Sequence, residues 1–213
     1  MINSKFDRLL KKGSKILTRG HNFVEMSGLR WATCNVGAEN PTDVGLYFGV
    51  GKTKGYTLKE AQKDDNEYVF EWEDGEHQVP KYDDKLILKI ENDAVHANWG
   101  GLWRMPTSEE YKRLIEENNV EFRRSYNGIR MSGLLVTDKK NHSKKLFFPA
   151  CGFIINGCSS SFKTYGDYWT SSCDGRDNNF ILFGFGDDKL RTDKYWLNSC
   201  TPVYGFQLRG VIG

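Results

Sequence analysis

Apolar side chains recur at helical spacing near the start of the chain. Phe6, Leu9 and Leu10 fall on one stripe, and Ser4 stands where a helix N-cap belongs. This pattern predicts a short amphipathic helix over residues 4–17. A helix with one apolar stripe packs either on the body of its own domain or on a neighbouring subunit. A homo-oligomer held together through this N-terminal helix is therefore one possible assembly.

The clearest helix of the sequence begins after Thr107. Thr107 and Glu110 have the spacing of a capping box, in which the hydroxyl and the carboxylate satisfy backbone amides reciprocally. Tyr111, Leu114 and Ile115 then supply one apolar face, and charged residues cover the opposite face. Two consecutive asparagines are expected to end this helix.

Outside these helices the pattern consists of short apolar or alternating runs separated by glycines, which is typical of strands and turns. The predicted strands lie within residues 21–36 and over residues 129–137, 146–150, 168–171, 180–185 and 205–211. A short helix is predicted over residues 93–98, just before the capped helix. Two helices in the first half, followed by mostly antiparallel strands, predict an α+β fold.

Composition narrows the class of protein. The chain has 213 residues, which suits one large domain, and its 13 Phe, 10 Tyr and 6 Trp exclude disorder over most of its length. The net charge of +2 provides no basic surface of the kind that nucleic-acid binders need. Mean hydropathy is −0.60, and the apolar runs are far shorter than the roughly 20 residues of a membrane span. We therefore expect no nucleic acid among its partners and no membrane insertion.

Charge is unevenly distributed along the chain. Residues 60–93 carry 12 acidic and 4 basic side chains, whereas the segments on either side are net basic. The spacing of the acidic residues matches no calcium loop, so a solvated insertion over about residues 56–92 is favoured, with a hairpin around Asp74 and Gly75. The predicted organisation is an N-terminal extension, residues 1–20, and a single domain, residues 21–213, that contains the insertion.

Cysteine and histidine spacing indicates no metal site. The five cysteines, Cys34, Cys151, Cys158, Cys173 and Cys200, form no Cys-x-x-Cys pair, and the four histidines are scattered. Roles as small buried apolar residues are favoured. In an oxidising compartment, one or two disulfides in the last third of the chain remain an alternative. No serine has the context of a nucleophile elbow. We therefore expect no metal, no cofactor and no catalytic residue.

Three segments in a fixed order carry a family resemblance. The first is Leu-Arg-Trp-Ala-Thr-Cys-Asn-Val-Gly-Ala at 29–38, with Gly-Leu-Tyr-Phe-Gly at 45–49. The second spans 93–107 and contains Trp-Gly-Gly-Leu-Trp-Arg-Met-Pro-Thr, the most specific element. The third combines Leu-Phe-Phe-Pro-Ala-Cys-Gly at 146–152, Gly-Asp-Tyr-Trp-Thr-Ser-Ser at 166–172 and Gly-Phe-Gln-Leu-Arg at 205–209. Together they resemble the Fib-succ-major (FISUMP) family of gut bacterial proteins over roughly residues 21–213.

The resemblance implies a C-type-lectin-like fold. The FISUMP family is similar to the variable proteins of diversity-generating retroelements and to formylglycine-generating enzymes, which share that fold of short helices, short antiparallel strands and long irregular loops. Core roles are expected for the motif aromatics Trp99, Trp103, Trp169 and Phe206. Gly100 and Gly101 are expected to allow a tight turn, and Arg104 and Arg209 to pair with carboxylates or carbonyls beneath the loops.

The same resemblance places ligand binding on loops near the C-terminus, because a rigid scaffold there presents exposed side chains. The predicted contact residues are polar or aromatic: Asp174, Arg176, Asp177, Asn178, Asn179, Asp187, Asp188, Lys189, Arg191, Asp193, Tyr195, Trp196 and Asn198. Tyrosine and tryptophan offer rigid contact area, and asparagine and aspartate offer adaptable hydrogen bonds. For the Tyr195-Trp196 pair, core packing remains an alternative.

The expected function is a non-enzymatic module that binds a protein or glycan receptor, displayed on a bacterial surface or a phage particle as an adhesin or a retroelement-diversified variable protein. No signal-peptide pattern is present, so a cytoplasmic location remains an alternative to an extracellular one. The calcium-binding motifs of true lectins are missing, which argues against metal-dependent sugar binding. Two alternatives remain: a formylglycine-generating-type oxidase that uses Cys173 or Cys200 with copper, and a structural subunit of a surface or tail fibre.

Overall fold

The computed structural model describes residues 18–63, 69–70, 80–176, 179–187 and 195–213. The helix predicted over residues 4–17 and the hairpin predicted at Asp74 and Gly75 lie outside the described residues.

Within the described residues the chain forms short strands and few helices. Helices α1, α2 and α3 are Leu58–Ala61, Ala94–Trp99 and Ser108–Glu117, and Ile90–Asn92 is a 3-10 turn. The strands, β1 to β11 in chain order, are Phe23–Met26, Leu29–Asn35, Asn118–Arg123, Gly133–Asp138, Lys145–Pro149, Phe153–Ile155, Cys158–Ser160, Tyr165–Cys173, Phe180–Gly186, Tyr195–Cys200 and Arg209–Ile212. The predicted α+β class is confirmed.

Small antiparallel sheets make up the architecture. Three sheets have three strands each, in the orders β1-β2-β11, β3-β4-β5 and β10-β9-β8, and β6 pairs with β7. Val211 of β11 lies opposite Trp31 of β2, so a strand at the end of the chain is paired with one near its start. Helix α3 leads directly into β3.

Two large apolar clusters hold these sheets together. Trp103, Trp169 and Phe206 belong to the first cluster. Trp31 and Tyr111 belong to the second, which packs α3 against the β8–β9 hairpin. Burial of such large aromatic side chains compensates for the small amount of regular structure.

Helix α3 begins as its sequence predicts. The Thr107 hydroxyl accepts a hydrogen bond from the Glu110 amide at 3.2 Å, and the Thr107 amide donates to the Glu110 carboxylate at 2.8 Å. Tyr111 is buried, and its ring stacks on Phe183 of β9 at 4.5 Å between centroids. The capping box therefore fixes the helix start, and the apolar face docks on the C-terminal sheet.

The motif between α2 and α3 forms the predicted turn. Gly100 and Gly101 have φ of 65° and 63°, a region that side chains with a Cβ rarely adopt. Trp103 is fully buried, and its indole donates to the Thr18 carbonyl at 2.8 Å. Trp99 is only half-buried and stacks on His21. The predicted core role is confirmed for Trp103, as it is for Trp169 and Phe206.

Arg209 is a completely buried guanidinium. It donates to the carbonyls of Ala32 at 3.0 Å and Phe147 at 2.9 Å, and it lies over the Phe148 ring at 4.6 Å. The predicted pairing with carbonyl groups is confirmed. This side chain joins β2, β5 and β11.

Several predicted bounds differ from the structure. The strand predicted from residue 129 begins at Gly133, because Tyr126 and Ile129 pair with each other in a turn. Residues 205–207 make isolated bridges and only Arg209–Ile212 forms a strand. The asparagine pair ends α3, and Asn118 donates to the Leu114 carbonyl at 2.7 Å, but the same pair also begins the unpredicted strand β3.

Phe70 and Leu88 of the acidic insertion belong to the core. Phe70 is buried and packs edge-on against Tyr56. The Leu88 amide donates to the Ser171 carbonyl of β8 at 2.7 Å. The apolar residues of this segment therefore anchor it to the body.

Among the described helices, none is long and apolar enough to cross a membrane.

Candidate functional site

The sheet of β8, β9 and β10, the C-terminal sheet, carries those predicted contact residues that the structure describes. Strand β9 is the middle strand and runs antiparallel to both β8 and β10. The loop that joins β8 to β9 therefore lies at one end of the sheet, and the loop that joins β9 to β10 lies at the other end. At about 3.4 Å per residue, the ends of β9 are ~20 Å apart.

Three predicted residues meet at the β8–β9 loop. The Arg176 amide donates to the Asp174 carboxylate at 2.8 Å, and the Asn179 amide donates to the Arg176 carbonyl at 2.8 Å. The Ser199 hydroxyl of β10 also donates to Asp174. Hydrogen bonding from Ser199, the largest cause, lowers the pKa of the Asp174 carboxyl despite slight desolvation. This loop is thus tied to β10, and its described residues carry both the Asp174 carboxylate and the Arg176 guanidinium.

Asp187 and Tyr195 lie at the opposite end of the sheet. Asp187 forms an ion pair with Arg124 at 2.8 Å, which joins the end of β9 to the residue after β3. Tyr195 begins β10 and is 37% exposed. The structure therefore places five of the described contact residues at two opposite ends of one sheet, and Trp196 and Asn198 lie within β10. The remaining predicted residues lie outside the described part of the chain: Asp177, Asn178, Asp188, Lys189, Arg191 and Asp193.

Trp196 lies between these two ends, on the sheet face opposite α3. It stands beside Gly184 of β9, where an added Cβ would clash with the indole nitrogen and lie 2.9 Å from an Asp167 carboxylate oxygen. The indole therefore lies across a position that only glycine leaves open. Tyr165 packs edge-on against it at 5.8 Å. Trp196 is half-buried, so its side chain can pack against the sheet and still contact a ligand.

Around Trp196 this face of the sheet forms a concave surface, which we call the aromatic groove. Its volume is about 480 Å³. Its aromatic walls are Phe153, Tyr165, Trp196, Tyr204 and Phe206, and its polar groups come from Ser161, Asp167, Asn198, Ser199 and Cys200. Ser199, which is among the lining residues, also donates its hydroxyl to Asp174 of the β8–β9 loop.

Of the residues that line this groove, only Trp196 and Asn198 were predicted contact residues; Phe153, Tyr165, Asp167 and Tyr204 are among those that were not. Period-two alternation along β8 places Tyr165 and Asp167 on the same face, so the sequence held a signal for these two. Phe153 and Tyr204 come from separate segments and meet edge-on at 5.5 Å. Only the tertiary fold brings them together.

The groove offers aromatic faces beside hydrogen-bonding groups. Asp167 is buried to 7% exposure on the floor, and Asn198 is exposed on β10. Aromatic rings with a few converging polar groups are typical of ligand sites. The arrangement can hold a flat or cationic group against the rings and orient it through the carboxylate and the amide.

One of the two candidate catalytic thiols, Cys200, lines this groove, and the other, Cys173, ends β8. Burial, followed by the neighbouring Asp167 charge, raises the pKa of the Cys200 thiol to about 12. Cys173 is 4% exposed, and its sulfur lies 3.2 Å from the Asn179 carbonyl. A nucleophilic or metal-binding cysteine needs a thiolate, which a raised pKa disfavours. All five cysteines are free, and the described residues contain no cluster of three or more metal-ligating side chains.

No protein-family model, curated protein or solved structure matches this chain. The residues of the site and their geometry therefore carry the functional argument.

Proposed function

We propose that this protein is a non-enzymatic binding module and that the aromatic groove is its ligand site. The observation that carries the proposal is the convergence of five aromatic side chains, Asp167 and Asn198 in one open groove. Isolated exposed aromatics need no explanation, but a concave group of them around polar atoms is typical of a recognition site.

We further propose a C-type-lectin-like fold and membership of the FISUMP family. Small antiparallel sheets, few helices and a pairing between the first and last strands support this assignment. The buried Trp103, Trp169 and Arg209 support it too, because they come from the motifs that resemble that family. Under this proposal the ligand is a protein or glycan receptor, and the protein is displayed on a bacterial surface or a phage particle. Codon diversification of residues 174–198 would identify it as a retroelement variable protein.

The rival oxidase function predicts copper bound by Cys173 or Cys200. The raised pKa of Cys200 and the burial of Cys173 favour the binding module instead. Titration of the reduced protein with Cu(I), followed by alkylation and mass spectrometry, separates the two. Protection of either thiol at one equivalent of copper would support the oxidase, and unchanged alkylation of both would exclude it.

The binding proposal is tested with a screen of glycans and bacterial cells. Trp196→Ala is expected to weaken binding of any retained ligand at least tenfold, because it removes one wall of the groove. The matched control is Trp99→Ala, since Trp99 is also a half-buried stacked indole but lies beside His21, away from the groove. Equal affinities of the wild type and the Trp196 variant would contradict the proposal, as would an equal loss in both variants.

A further inference from the structure

Two Asn-Gly pairs of this chain stand in tight hairpin turns. They lie at residues 127–128 and 156–157. Asn127 and Gly128 have φ of 47° and 79°, and Asn156 and Gly157 have φ of 48° and 67°. Both residues of each pair are thus left-handed, which is what a two-residue type I′ turn requires, and Asn-Gly is a pair that favours this turn. The two sites therefore share one dipeptide and one turn type.

An asparagine followed by glycine can react with its own backbone, because glycine has no side chain to hinder attack by its nitrogen. The glycine nitrogen loses its proton to water and attacks Cγ of the asparagine. A nitrogen–carbon bond forms, the bond from Cγ to the side-chain nitrogen breaks, and ammonia leaves. Water then opens the five-membered ring at either carbonyl and gives aspartate or isoaspartate. Water is the co-reactant, nothing is oxidised or reduced, and the product carries a new negative charge.

A type I′ turn opposes this ring closure. Closure joins Cγ and the glycine nitrogen in one five-membered ring, which needs a backbone conformation different from the left-handed one of the turn. The turn must therefore open before the reaction, and the rate depends on how often each hairpin opens. Local opening is easiest where few buried contacts and few backbone hydrogen bonds hold a segment. The anchoring of the two hairpins therefore decides which asparagine reacts.

Asn156 lies in a firmly anchored hairpin. Its turn joins β6 and β7, which pair at each of their three positions. Ile154, two residues before the asparagine, is fully buried. The backbone of Ile154 exchanges two hydrogen bonds with Gly205, at 3.0 and 2.8 Å. Opening of this turn therefore strains a strand that is paired on both sides and holds a core side chain.

Asn127 lies in a short and exposed hairpin beyond the end of the β3–β4 ladder. The bridge that closes it joins Tyr126 to Ile129, through backbone hydrogen bonds of 3.0 and 2.9 Å. Asn127 and Gly128 are exposed, and Ile129 is 54% exposed. A Cβ added at Gly128 would meet no atom within 4 Å, so there is open space around this turn. It can therefore open without disturbing a sheet.

We propose that Asn127 is a site of spontaneous deamidation in the folded protein and that the β6–β7 hairpin protects Asn156. The reaction also reaches the packing below the turn. Tyr126 stacks on Phe147 at 4.4 Å between centroids, and Phe147 is only 1% exposed. Isoaspartate adds a methylene group to the main chain, so the turn no longer places Tyr126 over Phe147. Aspartate changes only the charge, because Asp-Gly also favours a type I′ turn.

The full chain is incubated at pH 8, folded in one sample and unfolded by urea in the other, and both asparagines are followed by peptide mass spectrometry. In the folded protein, Asn127 should convert at least tenfold faster than Asn156. In urea the two rates should converge, because the shared Asn-Gly dipeptide then determines both. Equal rates in the folded protein, or a faster Asn156, would overturn the proposal. So would an unmodified Asn127 in the folded protein when the urea sample is fully converted, or a preference for Asn127 that persists in urea.

Asn127→Gly and Asn156→Gly are matched variants, because Gly-Gly also fits a type I′ turn and each removes one site. The acidic species that anion exchange separates from the incubated folded protein should disappear in Asn127→Gly and persist in Asn156→Gly. The reverse pattern would overturn the assignment.

Asn127→Asp separates the new charge from the longer backbone. Its urea midpoint should stay near that of the wild type, whereas the purified isoaspartate form should unfold at lower urea concentration, because Tyr126 no longer covers Phe147. An isoaspartate form as stable as Asn127→Asp would contradict the role of the turn in placing Tyr126.

Discussion

At the scale of single residues, the Arg104–Glu110 pair links the glycine turn to helix α3. The guanidinium makes two hydrogen bonds to the carboxylate, at 2.8 and 2.6 Å. Glu110 also accepts the Thr107 amide, so one carboxylate caps the helix and binds the arginine. Burial opposes ionisation of Glu110, but the hydrogen bonds from Arg104 and Thr107 keep its pKa below the ordinary value of 4.5.

Replacement of Arg104 by methionine should lower the free energy of unfolding at pH 7 by about 1.5–3 kcal/mol, the range for hydrogen bonds to charged groups. Glu110 has a lowered pKa in the folded state, so its contribution is present above the ordinary value of 4.5 and is lost as the pH falls through the folded pKa. The difference between wild type and variant should therefore narrow as the pH falls below about 4.5. Urea denaturation of both proteins at several pH values measures this difference in the free energy of unfolding.

Arg124→Met is the control for this prediction. It removes the Arg124–Asp187 ion pair, in which Arg124 is 81% exposed, and exposed pairs contribute about 0–1 kcal/mol. A difference between wild type and Arg104→Met that is independent of pH, or that grows in acid, would contradict the assigned role of Glu110.

At the scale of elements, the fit between β9 and β10 depends on Gly184. The Trp196 indole occupies the space that a side chain at residue 184 would need. The absence of a side chain on β9 thus allows the edge strand to fold its large aromatic residue inwards against Tyr165. A bulky residue on an edge strand is buried only when the neighbouring strand makes room for it.

Gly184→Ala should displace Trp196 and lower the free energy of unfolding by about 1–3 kcal/mol, the usual cost of an inserted methyl group in a packed site. The indole N–H signal of Trp196 in nitrogen-labelled protein should shift. In the double variant with Trp196→Ala the clash is absent, so the coupling energy should be about 0.5–3 kcal/mol and favourable to the double variant. Additive losses would show that Trp196 does not lie over Gly184.

At the scale of the whole molecule, local patterns predicted many of the helices and strands but not β3 and β10. The capping box at Thr107 and the apolar stripe of α3 are local, and both are confirmed. Strand β3 was missed because the asparagines that end α3 are weak strand formers, and the pairing of Val120 with Val136 decides the outcome. Strand β10 was missed because its residues were interpreted as loop contacts.

Local sequence patterns also predicted only part of the candidate site. Trp196 and Asn198 were identified from their sequence, and both line the aromatic groove. Phe153 and Tyr204 could not be identified, because 50 or so residues of chain separate them and long-range packing alone brings them into contact. Period-two alternation shows which side chains share a strand face, but it does not say which strands are neighbours.

The cysteines provide a test of whether residues 21–213 unfold as one unit. Cys173 belongs to the first apolar cluster. The Cys151 carbonyl accepts a hydrogen bond from Tyr47, which belongs to a smaller buried cluster with Ala61, Phe70 and Ile154. Both cysteines are buried, and burial raises the pKa of Cys151, so alkylation should require unfolding. Cys158 is exposed, so its thiol should be accessible to alkylation in the folded protein.

Iodoacetamide labelling at pH 8, followed by mass spectrometry of peptides, should modify Cys158 first. Cys200 should react slowly because its pKa is about 12, and labelling at pH 9 should accelerate it in proportion to its small thiolate fraction. Cys151 and Cys173 should become reactive with the same dependence on urea concentration, since a single cooperative domain exposes both in one transition. In urea that unfolds the chain, all five should react without a reductant. Separate urea midpoints for Cys151 and Cys173 would show that residues 21–213 unfold as more than one unit. In the native protein, a Cys151 as reactive as Cys158 would contradict the burial of Cys151.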